Sequence, residues 1–357
     1  MKNWILVFMM AGSTLAIAQQ APNQAMLPQV SKDAMIPCDC NRQFEFVVEY
    51  IEANNPAFQI LREDERRFNR YEITKRPLRE KSKQCQHIDT CLQFLKQYVG
   101  LLQDHHTNIF LAAKNRIAGA PGNDSTSPKS STAFKEITDS IYYFRISSFD
   151  GNLENYLNHL YDMLFDRIQK TPYLIIDVRD NGGGNDACFH KLMKCMYTNP
   201  IKVDDVDVWV SAGNLNWYAN KFVSNKKLID RMNAAKAGSF VRISRNQRWI
   251  MDSSMDYPKR VYILQNRGVA SSAEDFILYA RQSNKVITVG THTGGYTGFG
   301  NVMSVKTPEE LFQLQTTTTK CKLGVRYEYV GIPPDILLND FTDWENTIKR
   351  HIEQSKQ

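Results

Sequence analysis

Three short stretches hold the side chains able to do chemistry. The first is Gly268-Val269-Ala270-Ser271-Ser272-Ala273-Glu274-Asp275, where two hydroxyls stand between the strand-like run VYILQ (261–265) and the helix-like run DFILYARQ. A hydroxyl at the mouth of a helix has unbonded backbone amides beside it. If it attacks a carbonyl, the resulting oxyanion meets donors already in place. The same pattern has a plainer use, because Ser271 followed three residues later by Glu274 is a capping box that starts a helix, worth roughly 1 kcal/mol. A serine hydroxyl is a poor nucleophile unaided and needs a base. The second stretch, Asp104-His105-His106-Thr107, holds two imidazoles, which at a helix end could simply meet terminal carbonyls. The third, Asp180-Asn181-Gly182-Gly183-Gly184, follows the apolar run YLIIDVR (173–179). Its glycines let the backbone approach another group closely, with N–H groups pointing outward beside a helix start. The plainer reading is a loop that just needs glycine, and a nucleotide loop is disfavoured, since no Gly-Lys-Ser/Thr follows and the GxGxxG spacing is unmatched.

The surrounding periodicity says what must position these groups. From Cys38 to about residue 112 the apolar residues recur at one-face helical spacing, as in Phe44, Val47, Val48 and Ile51, or Cys91, Leu95, Tyr98 and Leu102. The stretch APGNDSTSPKSST (120–132) reads as a surface loop and a boundary. Beyond it come short apolar or alternating runs at 141–146, 173–179, 206–210, 261–265, 286–290 and 311–319, several separated by helical segments such as LENYLNHLYDMLFDRIQK. Strands buried on both faces and alternating with helices predict a layered α/β domain. The tail DFTDWENTIKRHIEQ predicts a closing amphipathic helix. The expected organisation is a signal peptide at 1–18, a helical N-terminal region at 19–112, a flexible linker at 113–135, a catalytic domain at 136–340 and a C-terminal helix at 341–357.

Lys2, an apolar run and Ala16-Ile17-Ala18 make the start of the 357-residue chain a cleavable export signal, with cleavage expected after Ala18. A periplasmic or secreted location and no stable membrane anchor follow as expectations. The net charge is +6, but bases and acids are interspersed, as in REDERRFNRYEITKRPLREK, which argues against nucleic-acid binding. Seven cysteines suit an oxidising compartment. Cys38, Cys40, Cys85 and Cys91 cluster in the N-terminal part, and their spacing with His87 matches no zinc-finger pattern. Disulfides tying that region together are expected, with the pairing open; no metal and no cofactor is expected. The oligomeric state is not readable from sequence.

In combination the motifs carry more. IIDVRDNGGG, GVASSAEDF, VITVGTHTGG and EYVGIPPDI, in that order, resemble the C-terminal-processing (tail-specific) serine peptidase family, and within it the tricorn-like branch. LLQDHHTNI resembles that family's upstream Asp-x-His-Thr segment, so the resemblance covers about residues 90 to 340. It implies an α/β fold with a ClpP/crotonase-like spiral ββα core preceded by a small helical N-terminal domain. It implies a serine endopeptidase acting on a peptide or protein substrate. Ser271 falls on the family nucleophile, with the Ser272 amide and that of Gly182 or Gly183 as the oxyanion hole. Where relatives carry a lysine in Phe-Gly-Lys-Gly, this chain has Tyr296 in Thr293-Gly294-Gly295-Tyr296, a departure from the serine–lysine pattern. The tricorn-like branch uses a histidine and a glutamate, which map to His106 and Glu328, with His105 the rival base. Only about thirty residues separate His106 from the 141–146 run, whereas an independent domain needs at least ~50, so no PDZ domain is expected. Two other readings share the fold: a non-catalytic peptide- or ligand-binding protein, and a crotonase-like acyl-thioester enzyme, which the export signal disfavours.

Overall fold

The computed structural model describes residues 37–113, 132–244, 246–338 and 341–355. The expected signal peptide, its cleavage point, the segment up to residue 36 and most of the expected linker lie outside the described residues.

The apolar runs form a six-stranded sheet in the order Ile336–Leu337, Val286–Gly290, Arg260–Gln265, Tyr173–Asp177, Ile141–Arg145, Ala133–Thr138. The first five strands pair in parallel and the last is antiparallel. Parallel neighbours need crossovers: the helix Glu154–Ile168 links Ile141–Arg145 to Tyr173–Asp177, and the helix Ser272–Ala280 links Arg260–Gln265 to Val286–Gly290. Successive residues of each strand feed opposite layers. Leu174, Ile176, Val261 and Ile263 join one core with Leu157, Tyr161, Phe276 and Ile277 of the crossover helices. Ile175, Tyr262 and Leu264 join a second core beneath Ile348 and Ile352 of the C-terminal helix Trp344–Gln354. Strands with both faces covered read as near-continuous apolar sequence, which is why they were visible in it.

Among the described residues there are three smaller sheets, two of them with three or more strands. One has the order Phe299–Gly300, Thr319–Cys321, Val206–Trp209, Phe240–Ser244, and is packed by the helices Ala212–Lys221 and Lys226–Ala234. The other joins Asn108–Leu111, just past the histidine pair, to Phe312–Thr316 and Met303–Lys306. The N-terminal region is helical from Cys40–Asn54 to Ile88–Val99, as its periodicity indicates, and the Cys40–Cys91 disulfide ties those two helices. It is bound to the later sheets by buried polar contacts. Asn55 Nδ2 donates to Asp104 and to Thr316, and the Trp209 indole donates to the Ala53 carbonyl. The histidine segment thus ends in a strand of a C-terminal sheet, and the strand Ala133–Thr138 begins inside the segment expected to be linker.

Candidate active site

The strand Arg260–Gln265 delivers the chain to the serine turn. Ser271 has φ 56° and ψ −130°, a conformation that costs a residue with a Cβ of order 1–3 kcal/mol. The helix Ser272–Ala280 starts directly after it. The capping box is present, its Glu274 half an N–H···O bond from Ser271 to the carboxylate at 3.1 Å. The Glu274 amide also donates to the Ser271 carbonyl oxygen at 2.7 Å, so the first turn has an acceptor besides the hydroxyl. A cap needs no positive φ. A strained turn between strand and helix lifts a side chain clear of the sheet, which a nucleophile requires.

The glycine turn lies against the serine turn. The Ala270 N–H donates to the Asn181 carbonyl at 3.0 Å. A Cβ at Gly183, whose φ is 90°, would stand 2.5 Å from the Ala270 carbonyl oxygen and 2.9 Å from both Ser271 Cβ and Ser272 N. Glycine is required there by conformation and by contact. Buried Asn181 fixes the turn, donating to the Ile146 carbonyl at 3.1 Å and accepting the Gly183 N–H at 2.9 Å. The Gly183 amide is thereby engaged inside the turn. Gly184 lines the cavity beside Ser271, and Gly182 does not. The preceding strand end is held by buried Asp177, which accepts from Tyr143, Arg145 and Arg179 at 2.6, 3.1 and 2.6 Å.

The histidine segment is clamped from both sides. Buried Asp104 accepts the His106 amide at 3.0 Å and the hydroxyls of Thr107 and Thr317 at 2.6 and 2.7 Å. Glu328 accepts the His105 amide at 3.0 Å and the Gly298 amide at 2.6 Å. Its contacts are with backbone amides, and burial pushes its carboxyl up to about 7. The two imidazoles diverge. His105 Nδ1 meets the Gly295 carbonyl oxygen at 2.9 Å, and its ring packs on Tyr329 with centroids 3.6 Å apart. His106 faces the cavity that Ser271 also lines. Its Nδ1 is buried without a partner in hydrogen-bond geometry. Burial holds this imidazole below its ordinary range, offset in part by the negative charge of Asp104 and the Phe299 carbonyl.

Glu274 couples the two halves. Besides the Ser271 amide, its buried carboxylate accepts the amides of Gly295 and Tyr296 at 2.8 and 2.7 Å and the Thr293 hydroxyl. That fixes Tyr296, whose ring meets His106 edge-on with centroids 5.5 Å apart and lies 4.4 Å from that of His105. Tyr296 therefore packs against both imidazoles. Ser271, Ser272, His106 and Tyr296 line one cavity of about 700 Å³. Asp104, Asn181 and the wider role of Glu274 were missed in the sequence. Asp104 opens the quoted histidine motif and Asn181 precedes the glycines, but neither position by itself tells which amides it will meet.

The sequence profile of peptidase family S41 matches residues 140–338. Among solved structures, a putative peptidase from Parabacteroides merdae is similar over 88% of this chain and 96% of its own, at 18% identity and a TM-score of 0.53. Mature CPAF is similar over 88% and 98%, at 11% identity and a TM-score of 0.61. A structure of mature CPAF complexed with lactacystin matches over 88% and 99%, at 12% identity and a TM-score of 0.58. At such identities the likeness is one of fold: the expected α/β core behind a helical N-terminal region. No curated protein matches the sequence.

Proposed function

This chain belongs to peptidase family S41, and from that premise we propose that it is an exported serine endopeptidase whose nucleophile is Ser271 and whose base is His106. One observation carries the reading: Ser271, held at positive φ on a helix start, shares its cavity with the His106 imidazole. Ser271 Oγ adds to the substrate carbonyl carbon as His106 takes its proton. The oxyanion is received by the Ser272 amide and by an amide of the glycine turn, Gly184 being the one that reaches the cavity. As the C–N bond breaks, His106 returns the proton to the leaving amine, and a water molecule then releases the acyl group by the same steps in reverse. Glu328 is a positioning residue, gripping the backbone beside the base through the His105 amide. His105, turned to Gly295 and Tyr329, is not the base in this reading. Export is supported by the leader-like N-terminus and by the Cys40–Cys91 disulfide, which suits an oxidising compartment.

The test is labelling with a fluorophosphonate probe together with cleavage of a mixed peptide library read by mass. Wild type is expected to be labelled and to cut, and Ser271→Ala and His106→Ala to do neither. A folded wild type that neither labels nor cuts would replace this reading by a non-catalytic peptide-binding protein on the same fold.

A further inference from the structure

The cavity beside Ser271 is lined by aromatic rings, Trp217, Phe222 and Tyr279 among them, and by three carboxyl groups, Asp186, Asp204 and Asp275. Asp275 follows Ser271 by one helical turn, its amide donating to the Ser271 carbonyl oxygen at 3.1 Å. The Ser272 hydroxyl stands beside Asp186 and lowers its otherwise burial-raised carboxyl, and Asp204 accepts the amides of Leu323 and Gly324. The Asp275 carboxyl has no hydrogen-bond or ion-pair partner among the described residues, and the charges beside it, from Asp186, Asp204 and Glu274, are all acidic. Lys221, exposed at the cavity, is the one lysine or arginine in the lining.

An uncompensated, half-buried carboxyl beside other acids is unfavourable. It becomes favourable when a cation arrives from outside. Among the described residues no three Asp, Glu, His or Cys side chains are spaced to hold a metal ion, so the carboxyls suit an extended organic cation better than a small one. Lysine and arginine have that form, an apolar stem for the aromatic walls and a charged head for the acids. A cavity of about 700 Å³ is large enough for either.

We propose that this cavity is a specificity pocket for a lysine or arginine side chain on the residue whose carbonyl Ser271 attacks, with Asp275 as its chief ion-pair partner. The assignment rests on the peptidase reading for its setting, and its test is separable from that reading. The inactive Ser271→Ala chain is titrated calorimetrically with capped Ala-Ala-Ala-Xaa-Ala-Ala peptides in which Xaa is arginine, lysine, citrulline or glutamate. Citrulline keeps the shape of arginine without its charge. The arginine peptide is expected to bind at least about 30-fold more tightly than the citrulline peptide, the scale of losing one partner of a desolvated charge pair. Asp275→Asn on the same background is expected to remove most of that difference. Equal binding of arginine and citrulline peptides, or no measurable binding of any, overturns the pocket whether or not Asp275→Asn folds. Wild type that hydrolyses all four peptides equally overturns it too. Discrimination retained by a wild type that cuts none of them overturns the peptidase reading and leaves the pocket standing.

Discussion

Replacing Gly183 by alanine presses one methyl group against the serine turn. That methyl would lie 2.5 Å from the Ala270 carbonyl oxygen and 2.9 Å from Ser271 Cβ and Ser272 N, where ordinary contact begins at 3.4 Å. All three are backbone atoms or the Cβ of the proposed nucleophile, so no flexible side-chain end can yield. Relief requires about 0.9 Å of movement at the turn. A misplacement of ~1 Å at a reacting group costs on the order of 100-fold in rate. The positive φ adds strain of about 1–3 kcal/mol, seen as a melting temperature lowered by roughly 2–4 °C per kcal/mol. The assay is the second-order rate of fluorophosphonate labelling, measured beside the thermal midpoint. Gly182→Ala is the internal control: its φ is not positive, and a Cβ there meets nothing within 4 Å. Gly183→Ala is expected to label about 100-fold more slowly, and Gly182→Ala at the wild-type rate. A Gly183→Ala chain labelled at full speed, or equal losses in both variants, would refute the idea that close approach of the glycine turn sets the position of Ser271.

Glu274→Ala strips the acceptor from the amides of Ser271, Gly295 and Tyr296 and from the Thr293 hydroxyl. At about 1–3 kcal/mol for each unsatisfied buried donor, a stability loss above ~4 kcal/mol is expected in denaturant titration, and a loss below ~1 would contradict the coupling assigned to this carboxylate. Because burial depresses the His106 imidazole, the acid limb of the kcat/KM profile is expected to lie below the ordinary histidine value of 6.5. A limb above it would point to another base. Glu328, raised from 4.5 to about 7, favours folding fully only below its unfolded value, and that contribution is lost as pH rises through 7. Glu328→Gln is therefore expected to flatten the fall in stability between pH 4.5 and pH 7, by at most about 3 kcal/mol. An unchanged slope would count against the raised carboxyl. Reducing the Cys40–Cys91 disulfide, which closes a separation of 51 residues, is expected to cost up to ~4 kcal/mol, read as a lower denaturant midpoint.

The sequence by itself determined what is local. Alternation and apolar runs marked the strands of the large sheet, and one-face spacing marked the N-terminal helices. Strand–turn–helix punctuation placed Ser271 at a helix mouth and three glycines at another strand end, because turn chemistry and periodicity act over a few residues. It did not separate the two imidazoles of a His-His pair, nor two adjacent glycines. Tertiary structure decided those: His106 faces the cavity while His105 is drawn to Gly295, and Gly183 meets the serine turn while Gly182 meets nothing. It also brought the Glu328 carboxylate to the His105 amide across a separation of 223 residues, and gathered Asp186, Asp204 and Asp275 around one cavity from three separate parts of the chain. Such meetings depend on strand order and on which crossover covers which face. Those are set by the packing of the whole sheet, and no short window of residues encodes them.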